Sequence, residues 1–392
     1  VYLQYENAST EINGDYYFQG IKISGQIASD TIFYTGSNSD RINAVEDGRL
    51  TDTNNQGYAI PNNWKEGLTS DPSYNGLNSQ NLNSWLEIGG LCEGVSQEAF
   101  MNRKFLRDLV SFPQSVRTIA ERSFKNCTGV TELGFENYGL EDIREEAFEG
   151  LSYVTSDIDL PYTLSNIERK AFYNVSRAGD LTFNSSELTT ISEEAFYNYG
   201  ANAPNKTIKL NNGIIEISGS AFYNAGGVGS SLELSDTIQT IGDYAFYAFG
   251  GGNSASVMGS INDLPRDLTN LGDNAFQSST ITGDINIPSG LTIMPYRGFY
   301  GSWITTVSGL SGLDQIQTDA FTSSKISNDI IIGGNTFLAY NCFSSCPNLT
   351  YVSLSGNYPY DTGYYAGGID WRGLQFYNDD NLKTIHISGM QQ

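Results

Sequence analysis

The chain has 392 residues, with 21 Lys plus Arg against 44 Asp plus Glu and a formal net charge of −23. So acidic a surface does not hold nucleic acid by counterion release, and one histidine, His386, cannot build a His-rich zinc site or a facial triad on iron. No apolar run approaches the ~20 residues of a membrane helix, yet 39% hydrophobic residues give enough apolar surface to fold.

The first stretches, YYFQGIKI and DTIFYTG, alternate with the period of strands. Residues 1–66 therefore read as a small β-rich N-terminal domain or cap, ahead of a solenoid over residues 67–392. The chain begins at Val1 with no leader visible, which reads as a mature or trimmed form. Leu77, Leu82, Leu86 and Ile88 then fit the positions of a decayed first repeat.

From there a repeat dominates. Its markers are Phe100, Phe124, Phe148, Phe172, Phe196, Phe222, Phe246, Phe276, Phe299, Phe321, Phe343 and Phe376. Most steps are 22 to 24 residues, and only 26, 30 and 33 stand out. With Phe as position zero, an aliphatic residue stands five before it, as in Ile119, Ile143, Ile167 and Ile241. Another stands eight before it, as in Val116, Leu140, Leu164 and Ile238, and the residue just before Phe is small, most often Ala. After the Phe comes an alternating pair such as Leu133 and Phe135, Leu181 and Phe183, or Ile385 and Ile387. That pair has the period of a strand, while the minus-eight and minus-five positions are spaced as on a helical or 3₁₀ turn. A unit of ~23 residues cannot enclose its own core, so units must stack, with strands forming a parallel sheet along one side.

Segments such as LPYTLSNIERKAFYN, LSDTIQTIGDYAFY and LPRDLTNLGDNAFQ resemble the BspA-like, Treponema-type leucine-rich repeat family, over about residues 77 to 387. The resemblance implies an α/β, mostly β, leucine-rich repeat solenoid: a right-handed superhelix with a parallel sheet on one face. A right-handed parallel β-helix is the alternative architecture. The family is typically exported and surface-attached, so an extracellular or bacterial cell-surface location is implied as well.

Chemistry is sparse along this chain. Cys127 and Cys346 stand three residues after a Phe, where the family also places Cys; with Cys92 and Cys342 they read as buried structural residues rather than a metal site or disulfide. His386, between Ile385 and Ile387, is expected on the outward sheet face. The runs GGVGSS and GGGNSAS lack the ending of a phosphate loop and read as variable loops. Tyr173, Tyr197, Tyr223, Tyr247 and Tyr300 follow a Phe and read as a packing ladder, with sugar stacking as the alternative.

Two surfaces remain as candidates. Asp157, Asp159, Asp180, Glu233, Asp284 and Asp329 fall on outward strand positions, with Glu132, Thr182, Lys209, Asn286, Ser353 and His386 beside them. Rungs about 4.8 Å apart would align them into an acidic, polar stripe suited to a basic partner or simply to solvation. Calcium is conceivable where Asp157, Asp159 and Asp180 approach one another. The insertion NYPYDTGYYAGGIDW gathers Tyr358, Tyr360, Tyr364, Tyr365 and Trp371, either as an interface or as a cap over the carboxyl-terminal end. The absence of concentrated chemistry in the sequence reads as a monomeric, non-enzymatic binding protein without a cofactor. The resemblance implies adhesion to a protein or glycan ligand, host extracellular matrix included. The alternative is a carbohydrate-active enzyme or a glycan-binding β-helix.

Overall fold

The computed structural model describes residues 94–102 apart from 96 and 99, then 108–251, 258–333, 336–355 and 375–388, and as strands alone 10–12, 15–18, 21–24, 59–60 and 85–88. It contains two compact units, Val1–Leu188 and Thr189–Gln392. Each is a stack of parallel β-solenoid turns with almost no helix. A single 3₁₀ turn, Leu310–Gly312, is the helical element among the described residues.

The alternating pairs form the expected ladder. In the first unit Trp85–Ile88, Asp108–Phe112 and Val130–Phe135 pair in parallel, as do Ile158–Leu160 and Leu181–Phe183. In the second, Thr207–Lys209 pairs with Ser231–Glu233, and Asp284–Asn286 with Thr306–Ser308. Ile330–Gly333, Tyr351–Ser355 and Thr384–Ser388 follow as further parallel neighbours. Burial alternates as the period predicts: Ile158 and Leu160 are buried and Asp159 between them is exposed.

A second parallel ladder runs through the minus-six and minus-five positions, where the spacing predicts a helical turn. Thr118–Ile119, Asp142–Ile143 and Asn166–Ile167 pair residue for residue, and Thr190–Ile191, Glu216–Ile217 and Thr240–Ile241 do the same in the second unit. The turn lies just ahead instead: the amide of Leu164 bonds to Pro161 O and that of Leu268 to Pro265 O. A β-branched residue at minus five suits a strand, and two residues are too few to show alternation in sequence.

The Phe turns make the third side. Their rings stack rung on rung at 5.0 to 5.8 Å within each unit, as in Phe100–Phe124 and Phe343–Phe376. The rings are buried in Phe124, Phe148, Phe222 and Phe246, which fills the solenoid axis. Fully burying each ring contributes roughly 1.5–3 kcal/mol, on the same scale as each buried Ile, Leu or Val beside it. Residues two before and two after the Phe take left-handed φ in almost every turn, for example Arg122 at 55° and Asn126 at 60°. That geometry aims alternate amides along the stack, so Phe124 N–H reaches Ala147 O at 2.8 Å and Asn126 N–H reaches Glu149 O at 2.7 Å.

Strands within residues 1–66 join both ladders. Thr10–Ile12, Asp15–Phe18 and Ile21–Ser24 form an antiparallel meander whose last strand pairs with Trp85–Ile88. Ala59–Ile60 pairs in parallel with Gly94–Val95. At the other end Ile385 and Ile387 register with the buried Val352 and Leu354. They are nevertheless 46% and 38% exposed, because no further rung covers them among the described residues.

Candidate binding surface

Strand register decides what the outward stripe becomes. In the first unit Asp159 sits beside Thr182 of the next rung. Asp157 accepts the Asp180 amide at 2.8 Å. Gly179 permits that approach, since a Cβ there would stand 2.0 Å from Asp157 Oδ1. The rung before is tied on through Thr155 N–H to Thr131 O at 2.8 Å and Leu133 N–H to Ser156 Oγ at 3.2 Å, which brings Glu132 alongside. In the second unit the acids are interleaved with other chemistry. Lys209 bridges Glu233 at 3.4 Å, Thr306 donates to Asp284, Ser308 donates to Asn286, and Asp329 stands exposed beside the outward Ile331. The stripe is therefore acidic in the first unit and mixed polar in the second. His386 lies exposed on it, beside Ser353.

Tyr358, Tyr360, Tyr364, Tyr365 and Trp371 lie outside the described residues, as do Cys92 and most of GGGNSAS. Among the described residues no group of three or more His, Cys, Asp or Glu is arranged to hold a metal ion. Cys127 donates to Phe100 O at 2.8 Å and Cys346 to Phe321 O at 3.2 Å, so these thiols close gaps between rungs. Burial pushes the Cys346 thiol up to about 12, which leaves it unreactive.

The tyrosine ladder forms over Tyr197, Tyr223 and Tyr247, stacked at 4.6 Å. Burial first, then the neighbouring rings of Tyr247 and Tyr197, raise the Tyr223 phenol above its ordinary value. Each interior ring face is taken by a neighbour, so this ladder is packing rather than a platform for sugars. Tyr173 lies under Lys170 at 5.3 Å and Tyr300 under Arg297 at 5.0 Å.

Two features escaped the sequence reading. One is an ionic lattice on the Phe turns of the first unit. Arg122 contacts Glu98, Glu121 and Glu146; Lys125 contacts Glu146 and Glu149; Arg144 reaches Glu168 and Arg169 reaches Glu145. Burial opposes the Glu146 charge, but Lys125 and Arg122 outweigh it and hold its carboxyl below the usual range. The signal was present: position minus two alternates in sign through Glu98, Arg122, Glu146 and Lys170. The other is a pair of exposed rings, Tyr138 and Tyr162, stacked at 5.5 Å on the turns that leave the outward strands.

Residues 93–205, 201–264 and 258–360 match the BspA type leucine-rich repeat region, in six copies. Solved structures to which this chain is similar include a leucine-rich repeat protein from Bacteroides ovatus, 17% identical over 78% of this chain and 83% of that one, TM-score 0.48. Pneumococcal vaccine antigen PcpA is 18% identical over 78% of this chain and 74% of its own, TM-score 0.41. A leucine rich cell surface protein from Faecalibacterium prausnitzii is 15% identical over 78% and 90%, TM-score 0.32. No curated protein matches the sequence. The repeat match spans well over half of the residues, and the chain belongs to the BspA-type leucine-rich repeat family.

Proposed function

We propose that this is a non-enzymatic binding protein of the cell surface or extracellular space, which holds a macromolecular ligand on the outward face of its larger strand ladder. Membership of a repeat family associated with surface proteins supports the location and the binding role. The observation that carries the reading is the ladder itself. Alternate side chains, Asp159 in the first unit and Glu233 in the second, stand exposed on backbones that parallel pairing fixes within each unit. A repeating surface, exposed among the described residues, suits recognition of an extended partner. Residues 1–66 serve as the amino-terminal cap, in keeping with the antiparallel strand 21–24 that shields the edge of strand 85–88. Adhesion to host matrix proteins or glycans is the biological form this binding takes.

The test is an array of matrix proteins and glycans probed with the full chain, in parallel with a variant carrying Asp159→Lys and Glu233→Lys. A ligand held by the full chain and lost by the variant is the expected result. A ligand held equally by both removes the site from this face, and a glycan that is cleaved replaces binding with catalysis.

A further inference from the structure

We infer that two copies of this chain join end to end, by antiparallel pairing of strand Thr384–Ser388 with the same strand of a second copy. The inference goes beyond the binding role above and concerns the end of the larger ladder, not its outward face.

That end is unfinished in hydrogen bonding and in packing. Thr384–Ser388 pairs with Tyr351–Ser355 along one edge, and among the described residues no strand takes its other edge. Its inward residues Ile385 and Ile387 are 46% and 38% exposed, whereas Val352 and Leu354 in the same columns are 0% and 2% exposed. The other columns stop in the same way. Phe343 and Leu349 are buried, while Phe376, stacked on Phe343 at 5.8 Å, and Leu382 are only half-buried. The turn amides stop too. Ser345, at φ 56°, donates to Tyr377 O at 2.8 Å, but Asn378, held at φ 61°, has no acceptor for its amide among the described residues.

An open strand edge is a template for another strand, and folds usually blunt it with charge, proline, a bulge or a cover. In the first unit the antiparallel strand Ile21–Ser24 covers the edge of Trp85–Ile88. Thr384–Ser388 carries no such device. It has neither proline nor carboxylate, and it matches its neighbour residue for residue without a bulge.

The strand's own sequence selects the occupant. Thr384, Ile385, His386, Ile387 and Ser388 read alike in both directions about His386: hydroxyl, isoleucine, histidine, isoleucine, hydroxyl. A copy turned about a two-fold axis at His386 therefore sets Ile385 of one chain against Ile387 of the other, Thr384 against Ser388, and His386 against itself. Directly opposed residues lie on the same face of an antiparallel pair, so the isoleucines stay inward and the histidines outward. The column that runs through Val352 and Ile385 thus continues into the second copy, and the contact extends an interface the chain already makes between its own rungs. A two-fold contact uses both open edges at once and closes, which yields pairs rather than fibres. Each copy carries a formal charge of −23, so long-range repulsion opposes pairing, and apolar burial with backbone bonding drives it. Within the pair the outward faces of the two joined ladders point the same way, which offers a ligand two sites side by side.

The experiment is sedimentation velocity of the full chain over a range of concentrations. A species of twice the chain mass is expected, dissociating on dilution and tightening as salt screens the repulsion. Ile385→Asp with Ile387→Asp should weaken pairing at least tenfold, and Ser353→Asp, one rung away on the outward face, should leave it within twofold. Unchanged circular dichroism of both variants checks the fold. Register is read by mild oxidation of His386→Cys. Directly opposed antiparallel residues have Cα atoms about 4.5–5.5 Å apart, within disulfide reach. Ser353→Cys would stand three rung spacings from its counterpart, roughly 14 Å, and beyond that reach. A cross-linked dimer above the wild-type background is expected from the first and not from the second. A chain that stays monomeric at every concentration, pairing that survives the isoleucine changes, or equal cross-linking at both positions overturns the inference.

Discussion

Asp379 makes the sharpest quantitative prediction. It stands three residues after Phe376, the slot that holds Ser279, Ser302, Ser324 and Cys346 in the preceding turns, all fully buried. One carboxyl oxygen accepts the Cys346 amide at 2.5 Å, while the other is buried with no partner. Burial pushes the carboxyl from 3.8 up to about 7; the Cys346 amide opposes this, and Asp380 adds to it. Cys342 and Cys346, the other titratable groups described nearby, stay neutral thiols because burial raises both. Below the unfolded value both states are protonated and nothing is lost. As pH rises from about 4 towards about 7 the unfolded chain ionises while the folded one resists, so stability falls. At about 1.36 kcal/mol per unit the gap would be worth about 4 kcal/mol for a fully buried group. Asp379 is only half-buried, and screening by water reduces this to about 1–2 kcal/mol. Asp379→Asn keeps the acceptor and removes the charge. It should therefore stabilise the last turn by that amount near pH 8 and leave it unchanged near pH 4. Hydrogen exchange of the peptide spanning 375–388 reads this locally without assuming two-state unfolding of the whole chain. Wild-type protection that stays flat between those pH values, or a variant no better protected at the higher one, would refute the reasoning.

Asn224 at φ 51° donates to Asn198 at 2.8 Å. Asn224→Val should cost about 1–2 kcal/mol by forcing a β-branched residue into the left-handed region, while Asn224→Gly should cost less, as urea melts will show. Glu146→Gln removes the negative charge shared by Lys125 at 2.8 Å and Arg122 at 2.9 Å. It should lower the melting temperature of the first unit at neutral pH, by about 1 kcal/mol in stability. The lowered carboxyl contributes above the ordinary Glu value and loses that contribution as pH falls through its folded value, so wild type and variant should converge in acid.

The inward residues were the legible part of this chain. Phe148, Ile143 and Leu140 recur at fixed offsets because each must fill the same slot in a stack of near-identical turns, and burial bears this out. The second ladder was less legible. Ile143 is three residues from Leu140 whether the step is a helical turn or a β-turn leading into a two-residue strand, and only the pairing Ile143↔Ile167 separates the two. The left-handed residues were hidden for another reason. Arg122 and Tyr244 have no intrinsic preference for positive φ, and adopt it because their turn amides are held by the next rung, as with Arg122 N–H on Glu145 O at 3.0 Å. Asp379 could have been noticed, since a carboxylate replaces Ser or Cys in an otherwise buried column.

The outward residues obey a different constraint, and this is why function was harder to read than fold. An inward slot is filled against the rung on either side, so its identity repeats. An outward slot answers to solvent or to a partner and is free to differ between rungs. The sequence of the central outward position runs Gly134, Asp159, Thr182 in the first unit and Lys209, Glu233 in the second, with no period to detect. What distinguishes one stretch of this surface from another is whether its charge is answered locally. Glu233 has Lys209 on the adjacent rung, whereas Asp159 has Thr182. That difference cannot be found by aligning repeats to one another, because it lies between rungs rather than within them. It follows that the functional residues of such a solenoid are better sought as unanswered departures from the repeat than as conserved features of it.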